Sequence, residues 1–221
     1  LLLVFAVLCG TRADPNRRRR TMLEVEVKYR STDRTLAVAT LLDWGATLSQ
    51  DRTDVDLYFQ APDRDLKATD EAFRLRRIGP KNCLTYKGPR RDAETKTRPE
   101  IEVALADGAE TASAAEQLLA GLGYKPVATV RKKRRVYAFS RDGFDVEACF
   151  DSLEHVGEFV ELEILAEEAR YETAKAALLA TAAELGLTER EPQSYLGLVL
   201  SARNATPYGT KPAAATEGGE S

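Results

Sequence analysis

The sequence predicts an α+β fold: an eight-stranded antiparallel β-barrel with a polar, charged interior and helices packed on its outside. Three observations predict it. Eight segments alternate apolar and polar residues, the period of a strand with two unlike faces. Their polar faces carry same-sign pairs: Glu24/Glu26, Arg74/Arg76, Glu100/Glu102, Lys132/Arg134 and Glu161/Glu163. Between the strands lie amphipathic helices, which need an apolar surface to cover. A barrel with its charges inside and its apolar face under the helices accommodates all three.

The first of these segments, Leu23 to Arg30, is the clearest. Apolar residues hold its odd positions, and Glu24, Glu26, Lys28 and Arg30 hold the even ones. Same-face neighbours stand about 6.6 Å apart at a rise of about 3.3 Å per residue, so the four charges form one row. Ahead of it, residues 1–21 hold a short apolar run and the basic block Arg17 to Arg20. The apolar run is too short to span a bilayer. Met22 reads as the natural start and residues 1–21 as an extension, with a truncated export signal as the rival reading.

Ser31-Thr32-Asp33 can cap a helix that runs through Trp44 and stops at Gly45. Asp54 to Gln60 alternates again, with Asp54 and Asp56 on the polar side. The proline-marked, charged segment Ala61 to Asp70 reads as a loop and as a candidate lid. Short strands follow at Phe73 to Arg76, Leu84 to Pro89 and Arg98 to Leu105. A helix is expected over Glu110 to Leu122, with Gly123 as its stop. In Thr129 to Phe139, alternation places Lys132 and Arg134 on one face and Arg131, Lys133 and Arg135 on the other. Strands at Phe144 to Asp151 and Glu158 to Leu165 complete the set. An Ala-rich helix over 167–186 and a short one from Gln193 to Ala202 close the domain, 22–202. The Pro/Ala/Gly/Thr-rich residues 203–221 read as a disordered tail.

Composition bounds the chemistry. The chain has 221 residues, enough for one domain with a real core. Its 32 basic and 35 acidic residues nearly cancel, to a net charge of −3, which argues against a nucleic-acid surface. With one histidine and three widely spaced cysteines, a His/Cys zinc site is excluded as an expectation. Cys83 and Cys149 read as buried thiols rather than ligands, so a metal would be held by oxygen. A charged interior needs water, metal and a polyanion, because unpaired buried charge is heavily penalised. Glutamate pairs suit Mg²⁺ or Mn²⁺. Arginine and lysine pairs suit phosphate oxygens. No Gly-rich phosphate loop is present, so the pattern points to metal-assisted phosphoryl or nucleotidyl transfer without a P-loop.

Glu24-x-Glu26-x-Lys28 at the start of the domain resembles the CYTH family, the triphosphate tunnel metalloenzymes. The resemblance continues through residues 56–59, Phe73 to Arg76, Leu84 to Gly88, Glu100 to Glu102, Lys132/Arg134 with Tyr137, Asp151, and Gly157 to Glu163. It implies an eight-stranded tunnel fold and a Mg²⁺ or Mn²⁺ cofactor. The metal-binding carboxylates it implies are Glu24, Glu26, Glu161 and Glu163, with Asp151 near the metal and Glu102 either binding it or orienting basic residues. The triphosphate ligands it implies are Lys28, Arg74, Arg76, Lys87, Lys132 and Arg134, with Lys28, Arg134 and Asp151 as the catalytic set. Tyr58, Tyr86 and Tyr137 are expected to pack rather than to catalyse.

The run from Asp54 to Arg76 is most similar to the class IV adenylyl cyclase branch, which converts ATP to cyclic AMP and pyrophosphate. The alternative is hydrolysis of inorganic triphosphate, thiamine triphosphate or a nucleoside triphosphate, and a third reading is a non-catalytic polyphosphate- or nucleotide-binding module. The expected partner is thus a small triphosphate, with no nucleic acid and no membrane, in the cytoplasm; a homodimer is compatible with this reading.

Overall fold

The computed structural model describes residues 22–31, 33–91 and 95–205. The expectations for residues 1–21 and 206–221 lie outside the described residues. Eight strands form one antiparallel sheet: β1 (Met22–Arg30), β2 (Thr47–Gln60), β3 (Ala72–Ile78), β4 (Lys81–Lys87), β5 (Glu100–Leu105), β6 (Lys125–Arg141), β7 (Phe144–Leu153) and β8 (Gly157–Glu167). Their order is β1-β8-β7-β6-β2-β3-β4-β5, so the first and fifth strands are the edges. The sheet curls, and one antiparallel bridge between Glu24 and Arg98 joins its edges. Beside it the Lys96 amide donates to the Glu26 carbonyl at 2.9 Å.

The apolar face lies under helices. Leu23, Val25, Val27 and Tyr29 of β1 and Val160, Leu162 and Ile164 of β8 form one cluster with α1 (Thr35–Asp43) and α3 (Tyr171–Glu184). The buried stripe of α3 is Tyr171, Ala174, Ala177, Leu178, Thr181 and Ala182, the spacing of one helix face. A second cluster packs Phe59 and Leu75 against Ala112 and Leu119 of α2 (Ala109–Gly121). At the start of α1 the Asp33 carboxylate accepts the Thr35 amide at 3.0 Å, but the N-cap position falls on Arg34, which makes no side-chain cap, so the expected capping residue lies one place ahead of it. Gly45, at φ +80°, lets the Ala46 amide return to Leu41 at its end.

The last helix, α4 (Tyr195–Ala205), takes a different seat. Tyr195 and Leu198 pack with Tyr58, Val130, Leu153 and Phe159, which share the inward face of their strands with the charged residues. It therefore covers one end of the concave face. It also runs three residues past the expected end at Ala202.

Other boundaries shift for one reason. β2 begins at Thr47 rather than Asp54, and β6 spans 17 residues rather than eleven. The residues added to β2 pair with β6, Asp51 opposite Arg135 and Thr47 opposite Ala138, and those added to β6 pair with β2 and β7, Lys125 opposite Gln60 and Arg141 opposite Phe144. Partner strands hold them, so apolar alternation does not mark them. The segment 61–70 packs Leu66, which is buried, on the outer side near Phe73, Tyr86 and Tyr124. Its end still reaches toward the mouth of the sheet, where Asp70 binds Arg90 at 2.9 Å.

Candidate active site

The inward face carries the predicted residues, and strand parity explains why. Lys132 and Arg134 are buried while Arg131, Lys133 and Arg135 are exposed, the alternation expected of β6. Lys28 is 1% exposed, an ammonium that only a polar interior can hold.

Three neighbourhoods make up the face. In the first, ligating oxygens of Glu24, Glu26 and Glu163 lie within 4.8 Å of one another. Lys87 stands 3.5 Å from Glu24 and 2.7 Å from Glu100. Burial pushes Glu24 well up, against Lys87. Burial raises Glu100 too, but Lys87, a hydrogen bond with Glu24 and Arg74 together outweigh it and hold that carboxyl at about 2. Lys96 donates to Glu26 at 2.9 Å and lies 3.5 Å from Glu161.

In the second, Arg134 grips Asp151 through Nε at 2.7 Å and Nη2 at 2.6 Å, and also contacts Glu161. Asp151 further takes Lys132 at 3.4 Å and the Tyr195 hydroxyl at 2.6 Å. Burial would raise Glu161, but Lys96, Arg134, Lys132 and Lys28 together hold it well below the carboxylate range. Lys28 lies 3.9 Å from the Tyr195 ring centroid and donates to the Gln193 carbonyl at 2.5 Å. Burial, then repulsion from Lys96, lowers Lys28 to about 7.

In the third, Arg76 binds Asp56 through two bonds of 2.7 and 2.8 Å, and Arg74 meets Asp56 and the Tyr58 hydroxyl at 3.3 Å each. Asp54 faces Arg52 at 2.8 Å, and Arg76 and Lys132 at 3.8 Å each. The Nε of Arg74 is buried with no hydrogen-bond partner among the described residues.

The structure thus brings together Glu24, Glu26 and Glu163 as an oxygen triad that suits Mg²⁺ or Mn²⁺. Glu161 is one ammonium away from it, through Lys96. Asp151 stands with Arg134, Lys132 and Tyr195, and Glu102 accepts from Thr85 at 3.2 Å; both lie outside the triad. The six cations Lys28, Arg74, Arg76, Lys87, Lys132 and Arg134 line one concave face from β1, β3, β4 and β6. Tyr137 packs on Phe150 and Tyr58 packs in the cluster under α4, as expected, and the Tyr58 and Tyr86 hydroxyls also bind Arg74 and Glu71. Sequence reasoning missed Lys96, Tyr195 and the counter-ion roles of Asp54 and Asp56. Asp54 and Asp56 had a signal, their place on the polar side of β2; Lys96 and Tyr195, on a loop and at a helix start, had none.

A curled eight-stranded antiparallel sheet with a carboxylate triad and a row of cations on its concave face defines the structural class of this chain. The CYTH domain pattern matches residues 22–195, and the chain belongs to that family. A protein of Methanocaldococcus jannaschii named as a candidate adenylate cyclase, MJ0240, is 38% identical over 142 residues, 64% of this chain and 77% of that protein. The adenylate cyclase CyaB of Aeromonas hydrophila is 32% identical over 180 residues, 78% of this chain and 86% of that one. Among solved structures, the PH1819 protein from Pyrococcus horikoshii OT3 superposes with a TM-score of 0.70 at 34% identity, covering 80% of this chain and 98% of that one. Among the described residues, no helix is long and apolar enough to cross a membrane.

Proposed function

We propose that this chain is a Mg²⁺- or Mn²⁺-dependent enzyme acting on a triphosphate, and that its reaction is the conversion of ATP to cyclic AMP and pyrophosphate. The observation that carries the reading is the convergence of six cations and a carboxylate triad on one concave face. The names of the two adenylate cyclase relatives support the choice of reaction. Glu24, Glu26 and Glu163 would hold the cation, whose chemistry there is Lewis-acid neutralisation of phosphate charge.

The side chains divide the remaining work. Arg74, Arg76, Lys87, Lys132 and Arg134 bind phosphate oxygens. The unpartnered Nε of Arg74 is ready for one of these bonds. With its pKa lowered to about 7, Lys28 reaches its neutral amine form, and that form accepts the proton of the ribose 3′-hydroxyl as that oxygen bonds to the α-phosphorus. The bond from the α-phosphorus to the bridging oxygen breaks and pyrophosphate leaves. Asp151 orients Arg134 and Tyr195 around the phosphates.

The second reading is hydrolysis of the triphosphate. It is favoured by the state of Tyr195, the ring nearest the cations, which Lys28 and Lys132 flank at 3.9 and 4.8 Å instead of leaving it open for a base. The test offers ATP and inorganic triphosphate separately, with Mg²⁺ or Mn²⁺, and resolves the products by chromatography. Cyclic AMP with pyrophosphate is the expected result. Orthophosphate with no cyclic AMP replaces it with the second reading, and no turnover of either substrate rejects both.

A further inference from the structure

The inward face holds a second grouping, in which Glu147 and Cys149 have no part in the proposed reaction. Glu163 on β8 stands opposite Glu26 on β1 and opposite Glu147 on β7, so three carboxylates share one row across three strands. Like charges directly opposite destabilise a sheet unless something compensates them. On the β1 side, Lys96 reaches Glu26. On the β7 side, the Glu147 carboxylate has no hydrogen bond or ion pair with any described residue, and the more distant charges of Arg134 and Arg52 act on it.

What stands beside it is the Cys149 thiol. Cys149 is 0% exposed, and it lies on the inward, polar side of β7, between Glu147 and Asp151. Its neighbours Ala148 and Phe150 take the apolar side with α3 and β1. The thiol makes no hydrogen bond with a described residue, unlike Cys83, whose sulfur meets the Leu84 carbonyl at 3.5 Å. Ligating atoms of Glu147, Cys149 and Glu163 all lie within 4.8 Å of one another. Ligands at about 2.1–2.3 Å around a tetrahedral ion are roughly 3.5 Å apart, so closing on an ion needs shifts of about 1 Å.

We infer that Glu147, Cys149 and Glu163 form a second cation site, suited to a borderline divalent ion such as Zn²⁺ or Co²⁺ and sharing Glu163 with the Glu24–Glu26 side. A thiolate selects such ions over Mg²⁺, which takes oxygen ligands only. This departs from the expectation that any metal here is held by oxygen alone. Arg134 engages Oε1 of Glu163 at 3.4 Å, and a carboxylate has lone pairs for an ion as well. Three protein ligands leave a fourth position open to water or substrate. Binding displaces the thiol proton, so the site tightens as pH rises.

The test titrates the full chain with Co²⁺ in the absence of substrate and records thiolate-to-cobalt charge-transfer absorption. The wild-type chain and the Cys83→Ser and Cys9→Ser variants are expected to develop the band, and Zn²⁺ to abolish it. Cys149→Ser is expected to lose it with an unchanged circular dichroism spectrum. Glu147→Gln, at a less buried position, is expected to weaken Co²⁺ binding at least about tenfold. A wild-type chain without the band, a band that persists in Cys149→Ser, or unaltered affinity in Glu147→Gln overturns the site. Glu24→Gln should keep the band while losing triphosphate turnover, so the second site and the proposed reaction fail separately.

Discussion

Arg134 and Asp151 face each other across the β6–β7 register, joined by bonds of 2.7 and 2.6 Å, with Asp151 fully buried. The pair anchors the cationic half of the site, because Lys132 and Tyr195 also converge on Asp151. Asp151→Asn removes the counter-charge and leaves a buried guanidinium underpaired. The expected loss is about 3–5 kcal/mol of unfolding free energy, measured by urea denaturation. A loss below about 1 kcal/mol would show that Glu161 compensates Arg134 unaided.

Lys96 is a tethered cation seated on the carboxylates. It holds Glu26 at 2.9 Å and stands 3.5 Å from Glu161. Any divalent ion using Glu26 competes with it. Lys96→Met should therefore tighten Mg²⁺ or Mn²⁺ binding about tenfold, the equivalent of one charge-assisted hydrogen bond of about 1.5 kcal/mol. Isothermal titration without substrate reads the change, and weaker binding would instead make Lys96 a support of the site.

Glu24→Gln keeps the size of the side chain and removes one charged oxygen ligand from the triad. Metal-dependent turnover should fall by at least about a hundredfold, with little change in the thermal midpoint. A fully active variant would take Glu24 out of the site.

Glu163 links the triad to pH. Burial, with the Glu161, Glu26 and Glu147 carboxylates adding to it against Arg134, pushes its carboxyl from the ordinary 4.5 up to about 7. Between these values the folded, metal-free chain binds a proton that the unfolded chain has released. The contribution of this group is therefore full below pH 4.5 and is lost as pH rises to about 7. Glu163→Gln should flatten the dependence of the unfolding midpoint on pH across that window. The same slope in both proteins would assign it to another group.

Much of this site was legible because a strand writes its two faces into every second residue. Lys132 and Arg134 were separable from Arg131, Lys133 and Arg135 on that basis alone, although all five are basic and adjacent. Asp56 was visible on its polar face, but its grip on Arg76 depends on the β2–β3 register, which periodicity does not specify. Lys96 and Tyr195 belong to no alternating run. Lys96 reaches Glu26 because the chain ahead of β5 closes the seam, and Tyr195 reaches Asp151 because α4 folds over the concave face. Such placements come from tertiary packing, which local pattern does not carry.

The seat of Lys28 also bears on how the chain is assembled. Its ammonium rests on the carbonyl of Gln193, 165 positions further along, and its strand finds its neighbour in β8. The first strand thus emerges from the ribosome long before the carbonyl that seats Lys28 and the strand that pairs with it. Closing loops of that length is slow, and folds dominated by distant pairings form late. The barrel can complete itself only after synthesis has delivered its final helix.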